Sequence, residues 1–189
     1  MGWEKHLEHW LVGERTGWLD WFFIALSWIG TLGLVWVAIA LAIALTWRRP
    51  AIALTVVVAD FGSDLLADVG KALVHRHRPF EHQLGPRSST HSFPSGHAAT
   101  SFACATVLSY YAPRLRLPLV VLAALIALSR VYNAMHYPTD VLAGSLLGVV
   151  TALLLLAAVR RRSRPGRRPG QSRSRSPGRR RGGRRRGSR

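Results

Sequence analysis

The chain is 189 residues long, 49% hydrophobic and carries seven tryptophans and a formal net charge of +17. That length suggests one domain around a buried core, but the distribution excludes an ordinary soluble fold: 15 of the 26 Lys and Arg lie within residues 160–189, and the remaining 11 face nine acidic residues. The single cysteine, Cys104, excludes an internal disulfide and a cysteine metal cluster; in an apolar run it reads as a small buried residue.

Residues 1–17 are polar, hold three glutamates up to Glu14 and show no small-residue cleavage site before an apolar stretch. No signal peptide is expected, and the segment reads as interfacial. Apolar runs near 21–46, 51–67, 98–111, 117–129 and 141–159 then follow, rich in Leu, Ala and Val and nearly free of Lys and Arg. Over residues 18–160 they predict an all-α, polytopic transmembrane helical bundle. Trp18 to Trp47 is thirty residues, about 45 Å as one helix and longer than a bilayer core. A break at Gly30-Thr31-Leu32-Gly33 would make two short helices, six spans in all and a cytoplasmic N-terminus. A single tilted span would give five, with the N-terminus outside. Six is the expectation.

Arg48 and Arg49, Arg114 and Arg116, and the arginine tail separate or follow alternate runs, which places all three on the cytoplasmic side. Alternation then puts Lys71 to His97 and the turn after Arg130 together on the outer face.

Three strings on that face carry chemistry. Lys71 precedes Arg78-Pro79 by seven residues, nearly two helical turns, which sets both cations on one face if helix persists. A point charge and a planar fork so placed grip separate oxygens of one phosphate; a basic cluster reaching lipid headgroups is the plain alternative. His75, Arg76 and His77 are assigned to surface or lipid contact. Pro94-Ser95-Gly96-His97 opens an apolar run as a helix N-terminus, where free N–H groups and the dipole favour an anion. There Ser95 offers a hydroxyl, Gly96 lets a ligand approach the backbone, and His97 is near enough to protonate a leaving oxygen. Taken alone, that string is an ordinary cap. Ser129-Arg130 closes the fourth run, His136 follows, and Pro138 starts the last helix with Asp140 in its first turn. Asp140, four residues from His136, is expected to fold back onto one ring nitrogen, leaving the other free to attack phosphorus.

Together these strings resemble the type 2 phosphatidic acid phosphatase superfamily, with its Lys-x6-Arg-Pro, Pro-Ser-Gly-His and Ser-Arg-x5-His-x3-Asp pattern. All eleven specified positions are matched, and the resemblance covers about residues 18–160. It implies a membrane lipid phosphatase with a helical bundle, no metal requirement, no cofactor and a phosphohistidine intermediate. On that resemblance His136 is the nucleophile, Asp140 its orienting partner and His97 the general acid, while Lys71, Arg78, Ser95, Gly96, Ser129 and Arg130 hold the phosphate. Small bacterial members act on undecaprenyl diphosphate, and others on phosphatidylglycerol phosphate, phosphatidate or a prenyl-linked sugar phosphate; the strings read phosphate and do not choose among these tails. Vanadate-dependent haloperoxidases share a similar constellation but are soluble, against the apolar runs here. The connection from Phe80 to Ser92, with His82, Arg87 and His91, is a place for discrimination, although each residue singly reads as ordinary solvated loop.

Asp60, Asp64 and Asp68 stripe one face of the helix that carries Lys71, and a positioning role toward Lys71 is expected rather than a metal site. Residues 161–189, of Arg, Gly, Ser and Pro, are expected to be a disordered cytoplasmic tail drawn to anionic lipid headgroups. Nucleic-acid binding is the competing reading, disfavoured because no aromatic residue interleaves the arginines.

Overall fold

The computed structural model describes residues 2–79, 82–84 and 90–162, and all regular structure among them is helical. Seven α-helices follow in order: α1 Gly2–Gly13, α2 Gly17–Ile29, α3 Leu34–Thr46, α4 Pro50–Val74, α5 Gly96–Tyr111, α6 Arg116–Tyr132 and α7 Pro138–Arg162. Pro50 and Pro138 stand at the starts of α4 and α7, where a missing N–H costs nothing. The α4 helix ends at His75, whose φ of 51° turns the chain out of the helix.

The α5 helix is central, packed by α4, α6 and α7. Its buried positions are nearly all small, including Ala98, Ala99, Ala103, Cys104 and Ala105, so three neighbours reach its backbone closely. In a bilayer such small-residue contacts stand in for the hydrophobic effect, because lipid tails are as apolar as leucine. The closest approach is by α7. A Cβ at Gly144 would lie 2.3 Å from the Ser95 carbonyl oxygen, and one at Gly148 would lie 2.0 Å from that of Ala99. Gly148→Ala is therefore expected to destabilise the bundle by about 1–3 kcal/mol or more, since backbone cannot step aside. Gly62→Ala on α4, where nothing lies within 4 Å, should be neutral or slightly stabilising; thermal unfolding in detergent measures both. Away from the helix ends that carry the three strings, the interior is apolar, with Trp36, Ile52, Leu108 and Ile126 its largest fully buried side chains. Cys104 is buried there, as expected.

The chain is an integral membrane protein. Pro113–Tyr132, which is α6 with its leading 3₁₀ turn, and α7 are each long and apolar enough to cross a bilayer, and α2 with α3 passes the same test as one element bent by 61°. The break falls at Gly30–Gly33, as the sequence suggests, where Gly33 takes a φ of 65° and the Asp60 carboxylate occupies the space a Cβ would need. The bend does not reverse the chain, however. The α2 helix starts beside Tyr132 at the end of α6, and α3 finishes beside the start of α4. The α2 and α3 helices thus form one bent element rather than a hairpin, which fits the five-span alternative, and α1 lies at the same end as the three strings because Glu4 reaches Arg76 and Thr139 there. Trp3, Trp10, Trp18 and Trp21, on α1 and the start of α2, are all exposed, in keeping with an aromatic belt at one interface.

Candidate active site

Each of the three strings reaches the same end of the bundle by a different route. The end of α4 is pressed onto the second string at Gly70, where a Cβ would stand 2.6 Å from Pro94. Two residues short of α5, Pro94 leads into Ser95, the N-cap of that helix, whose N–H donates to the Asp140 carbonyl at 3.0 Å. The third string lies on the last turn of α6 and the 133–137 connection into α7.

His136 is the most constrained group. Its Nδ1 lies 2.7 Å from the Ser92 carbonyl oxygen. A carbonyl only accepts, so Nδ1 carries the proton and Nε2 presents its lone pair. Nε2 in turn accepts from an Arg78 Nη1 3.0 Å away. Burial pushes the imidazole down to about 4, against the opposing pull of Asp140. The expected direct contact with Asp140 is not made: the carboxylate approaches Nδ1 only to 3.7 Å, beyond a hydrogen bond. Ser92 holds that place, because Asp140 is fully buried and already committed elsewhere, to the Tyr137 N–H at 2.9 Å and to Arg76 at 2.5 Å.

Arg78 is buried, and its guanidinium is spent on carbonyls: Nε donates to Thr90 at 2.8 Å, Nη1 to Met135 at 2.9 Å and Nη2 to His91 at 3.3 Å. Desolvation lowers its basicity, yet an arginine stays charged. The shared helical face expected for Lys71 and Arg78 does not exist, because α4 stops at Val74 and residues 75–79 run irregularly. Lys71 instead pairs with Asp68 at 2.8 Å and sits close to Gly96, with Asp64 beside both. The Lys71–Asp68 pairing matches the expected use of the acidic stripe, although with Asp68 largely exposed it adds little stability. Asp60, by contrast, faces Gly33 and the Cys104 thiol. Among the described residues no three His, Cys, Asp or Glu side chains converge as a metal site would.

Arg130 is buried and donates to the Ser27 hydroxyl on α2. Among the described residues its Nε has no partner, and neither do Ser95 Oγ and His97 Nε2, all three buried. Arg130 and His97 line one cavity of about 240 Å³ with Ile24, Trp28, Leu84 and Met135. His97 also lies within electrostatic reach of Arg130, His136, Lys71 and Arg78, so the strings converge on one point. Ser129 departs from expectation, since its hydroxyl donates to the Ile126 carbonyl at 2.6 Å inside α6 and offers no free donor.

Several contributors escape sequence reasoning. Arg76, assigned above to surface or lipid contact, is largely buried and joins three groups: Asp140 at 2.5 Å, Thr139 at 2.7 Å and Glu4 at 2.7 Å. Glu4, 4% exposed, also accepts from the Thr139 hydroxyl at 2.6 Å. Burial alone raises its pKa, but the hydrogen bonds from Thr139 and Arg76 outweigh that and hold the carboxyl below its ordinary range. His75 and His77 are exposed as expected. His91 packs its ring against His75 at 4.7 Å, and the His82 carbonyl accepts from Arg15. Arg87 and residues 163–189, with the tail readings placed on them, lie outside the described residues.

A family model described as the PAP2 superfamily matches residues 50–164, more than half of the chain. This chain belongs to the PAP2 superfamily. Among similar proteins, the undecaprenyl-diphosphatase of Sulfolobus acidocaldarius is 32% identical over 120 residues, spanning 60% of this chain and 58% of that one. The decaprenylphosphoryl-5-phosphoribose phosphatase of Mycobacterium tuberculosis is 38% identical over 135 residues, 69% of this chain and 75% of its own. The PAP2 fold is also seen in the solved structure of a transmembrane PAP2-type phosphatidylglycerolphosphate phosphatase from Bacillus subtilis, with a TM-score of 0.74 and 26% identity over 86% of this chain and 87% of that one. This PAP2 chain thus spans well under two thirds of the archaeal relative and most of the bacterial ones named.

Proposed function

We propose that the chain is a lipid phosphatase that hydrolyses a phosphomonoester or diphosphate on a membrane lipid through a phosphohistidine at His136, with undecaprenyl diphosphate as the substrate and undecaprenyl phosphate as the product. The observation that carries this reading is a cavity lined by His97 and Arg130, with His136 and Arg78 within electrostatic reach of His97, whose remaining walls mix apolar Ile24, Trp28, Leu84 and Met135 with polar Ser27, Thr31 and Asn133. Fixed cations supply phosphate affinity and the walls accept the first part of a tail.

In the first step His136 Nε2 attacks the terminal phosphorus as the bond to the lipid-side oxygen breaks, and His97 gives that oxygen its proton. The imidazolium so formed keeps Nδ1–H on Ser92, with the Asp140 carboxylate 3.7 Å away to stabilise the charge. The Arg78 N–H that caps Nε2 in the free protein turns to a phosphate oxygen once Nε2 is bonded to phosphorus. Arg130, Lys71, the Ser95 hydroxyl and the N–H groups at Gly96 take the remaining charge. In the second step His97, now neutral, removes a proton from water as the water displaces His136, releasing phosphate and restoring both rings. Ser129 serves here as packing for Arg130 rather than as a donor. The site faces the extracytoplasmic side and the arginine tail the cytoplasm, where anionic headgroups attract it.

The test is phosphate release by detergent-purified protein in EDTA from undecaprenyl diphosphate, phosphatidylglycerol phosphate, phosphatidate and a prenyl-phosphoryl sugar phosphate. Undecaprenyl diphosphate should turn over at least tenfold faster than the others, unaffected by chelation. Preference for another lipid reassigns the substrate; folded protein that releases phosphate from none of them overturns the lipid phosphatase reading.

A further inference from the structure

We propose that a groove between α5, α6 and α7, at the end of the bundle opposite His97 and His136, is a binding site for one anionic phospholipid. The groove encloses about 560 Å³, more than twice the cavity at the phosphate-binding end. Its rim is made by Arg116 at the start of α6 and Arg160 near the end of α7, and no carboxylate lines it. Below the rim the walls are apolar, including Val120, Val149 and Leu153.

The rim is built for a diester phosphate. Arg160 is held in place by Tyr110, whose Oη accepts from Nε at 3.0 Å and whose ring lies 4.4 Å beneath the guanidinium. That leaves the outer guanidinium nitrogens without a partner among the described residues, pointing no donor at protein. Arg116 likewise has no hydrogen-bond or ion-pair partner among the described residues. Ser109, beside them, has a buried hydroxyl with no hydrogen-bond partner among the described residues. Thr106 in the same groove returns its hydroxyl to Phe102 and Ser145 on α7 returns its own to Val141, so the Ser109 hydroxyl is the one left over among the groove's described hydroxyls on α5. Two cations and a spare donor above an apolar trough match a phosphate with an acyl chain beneath it. A choline headgroup would set an ammonium against two arginines, and free phosphate would leave the trough uncovered. This inference does not depend on the reaction at the other end.

Native mass spectrometry of the purified full-length chain, titrated with phosphatidylglycerol, phosphatidylcholine of the same acyl chains or inorganic phosphate, tests it. One phosphatidylglycerol per chain should bind at least tenfold more tightly than phosphatidylcholine. The Arg116→Gln/Arg160→Gln variant should lose at least tenfold in that affinity, while Arg161→Gln/Arg162→Gln, which alters exposed arginines outside the groove, should stay within twofold. Val149→Trp, which fills the trough without touching charge, should lose binding as well. Each variant is shown to be folded by its unfolding midpoint. Equal loss in both arginine pairs, equal binding of phosphatidylcholine, or inorganic phosphate competing as well as the lipid would each overturn the proposal.

Discussion

His136→Ala is expected to lower phosphate release by at least about 10⁴-fold, the loss typical of removing a covalent nucleophile. The expectation rests on the tautomer. With Nδ1–H committed to the Ser92 carbonyl at 2.7 Å, Nε2 carries the only lone pair that reaches the cations. His136→Asn provides the folded control, because its amide N–H₂ reproduces the donor to Ser92 while lacking a nitrogen able to attack. Both variants should be inactive, and the asparagine variant should unfold close to wild type; phosphate release at a wild-type rate from either sinks the assignment. The pH dependence follows from the same burial. A ring whose pKa falls from 6.5 to about 4 on folding binds fewer protons than the unfolded chain between those values. The stability it contributes is therefore present above about pH 6.5 and is lost as pH falls toward 4. In the folded protein the His136 ring stays neutral over that window, so the acid limb of kcat/KM that belongs to it should lie near 4.

Arg76→Gln is expected to reduce kcat by about 10²-fold with little change in KM, and to destabilise the protein by about 3–5 kcal/mol. Arg76 lies outside the phosphate cluster, so substrate affinity should survive. What it holds is Asp140 at 2.5 Å and Glu4 at 2.7 Å, and without it two buried carboxylates lose their shared cation. Adding Glu4→Gln to Arg76→Gln removes one of those charges and should return part of the stability. It should not restore kcat, because Asp140 is still unbraced beside His136. Parallel losses in kcat and 1/KM would instead make Arg76 a phosphate ligand.

The eleven positions of the three strings were legible because each string is short and each residue type has a distinct task. Helix limits were legible where Pro50, Pro94 and Pro138 punctuate the apolar runs, whereas α4 ends five residues before Pro79. What the chain conceals is long-range pairing. Ser92 and His136 are 44 residues apart, Arg76 and Asp140 are 64 apart, and Glu4 and Thr139 are 135 apart; no local pattern marks any of these pairs. Arg76 in particular sits between two exposed histidines and looks like surface. The placement of Lys71 and Arg78 on one face failed because it assumed helix through His75, where the backbone turns left-handed instead. The choice between five and six spans was illegible for a related reason. Hydropathy marks where the first run weakens, at Gly30 to Gly33, but a kink and a hairpin weaken it alike, and only the contacts of Glu4 tell which end the chain started from.

The clasp between Glu4 and Thr139 has a consequence in time. Glu4 is made first and its partner on α7 is made 135 residues later, which at roughly 5–20 residues per second leaves the N-terminal helix waiting on the order of 7 to 27 s. Arg76 follows Glu4 by 72 residues, and from then until α7 is made both lack Asp140; His136 comes only just before Thr139. On the proposed chemistry a chain released before α7 is made should therefore be inactive, and activity should appear only when α7 has inserted and α1 has closed onto it.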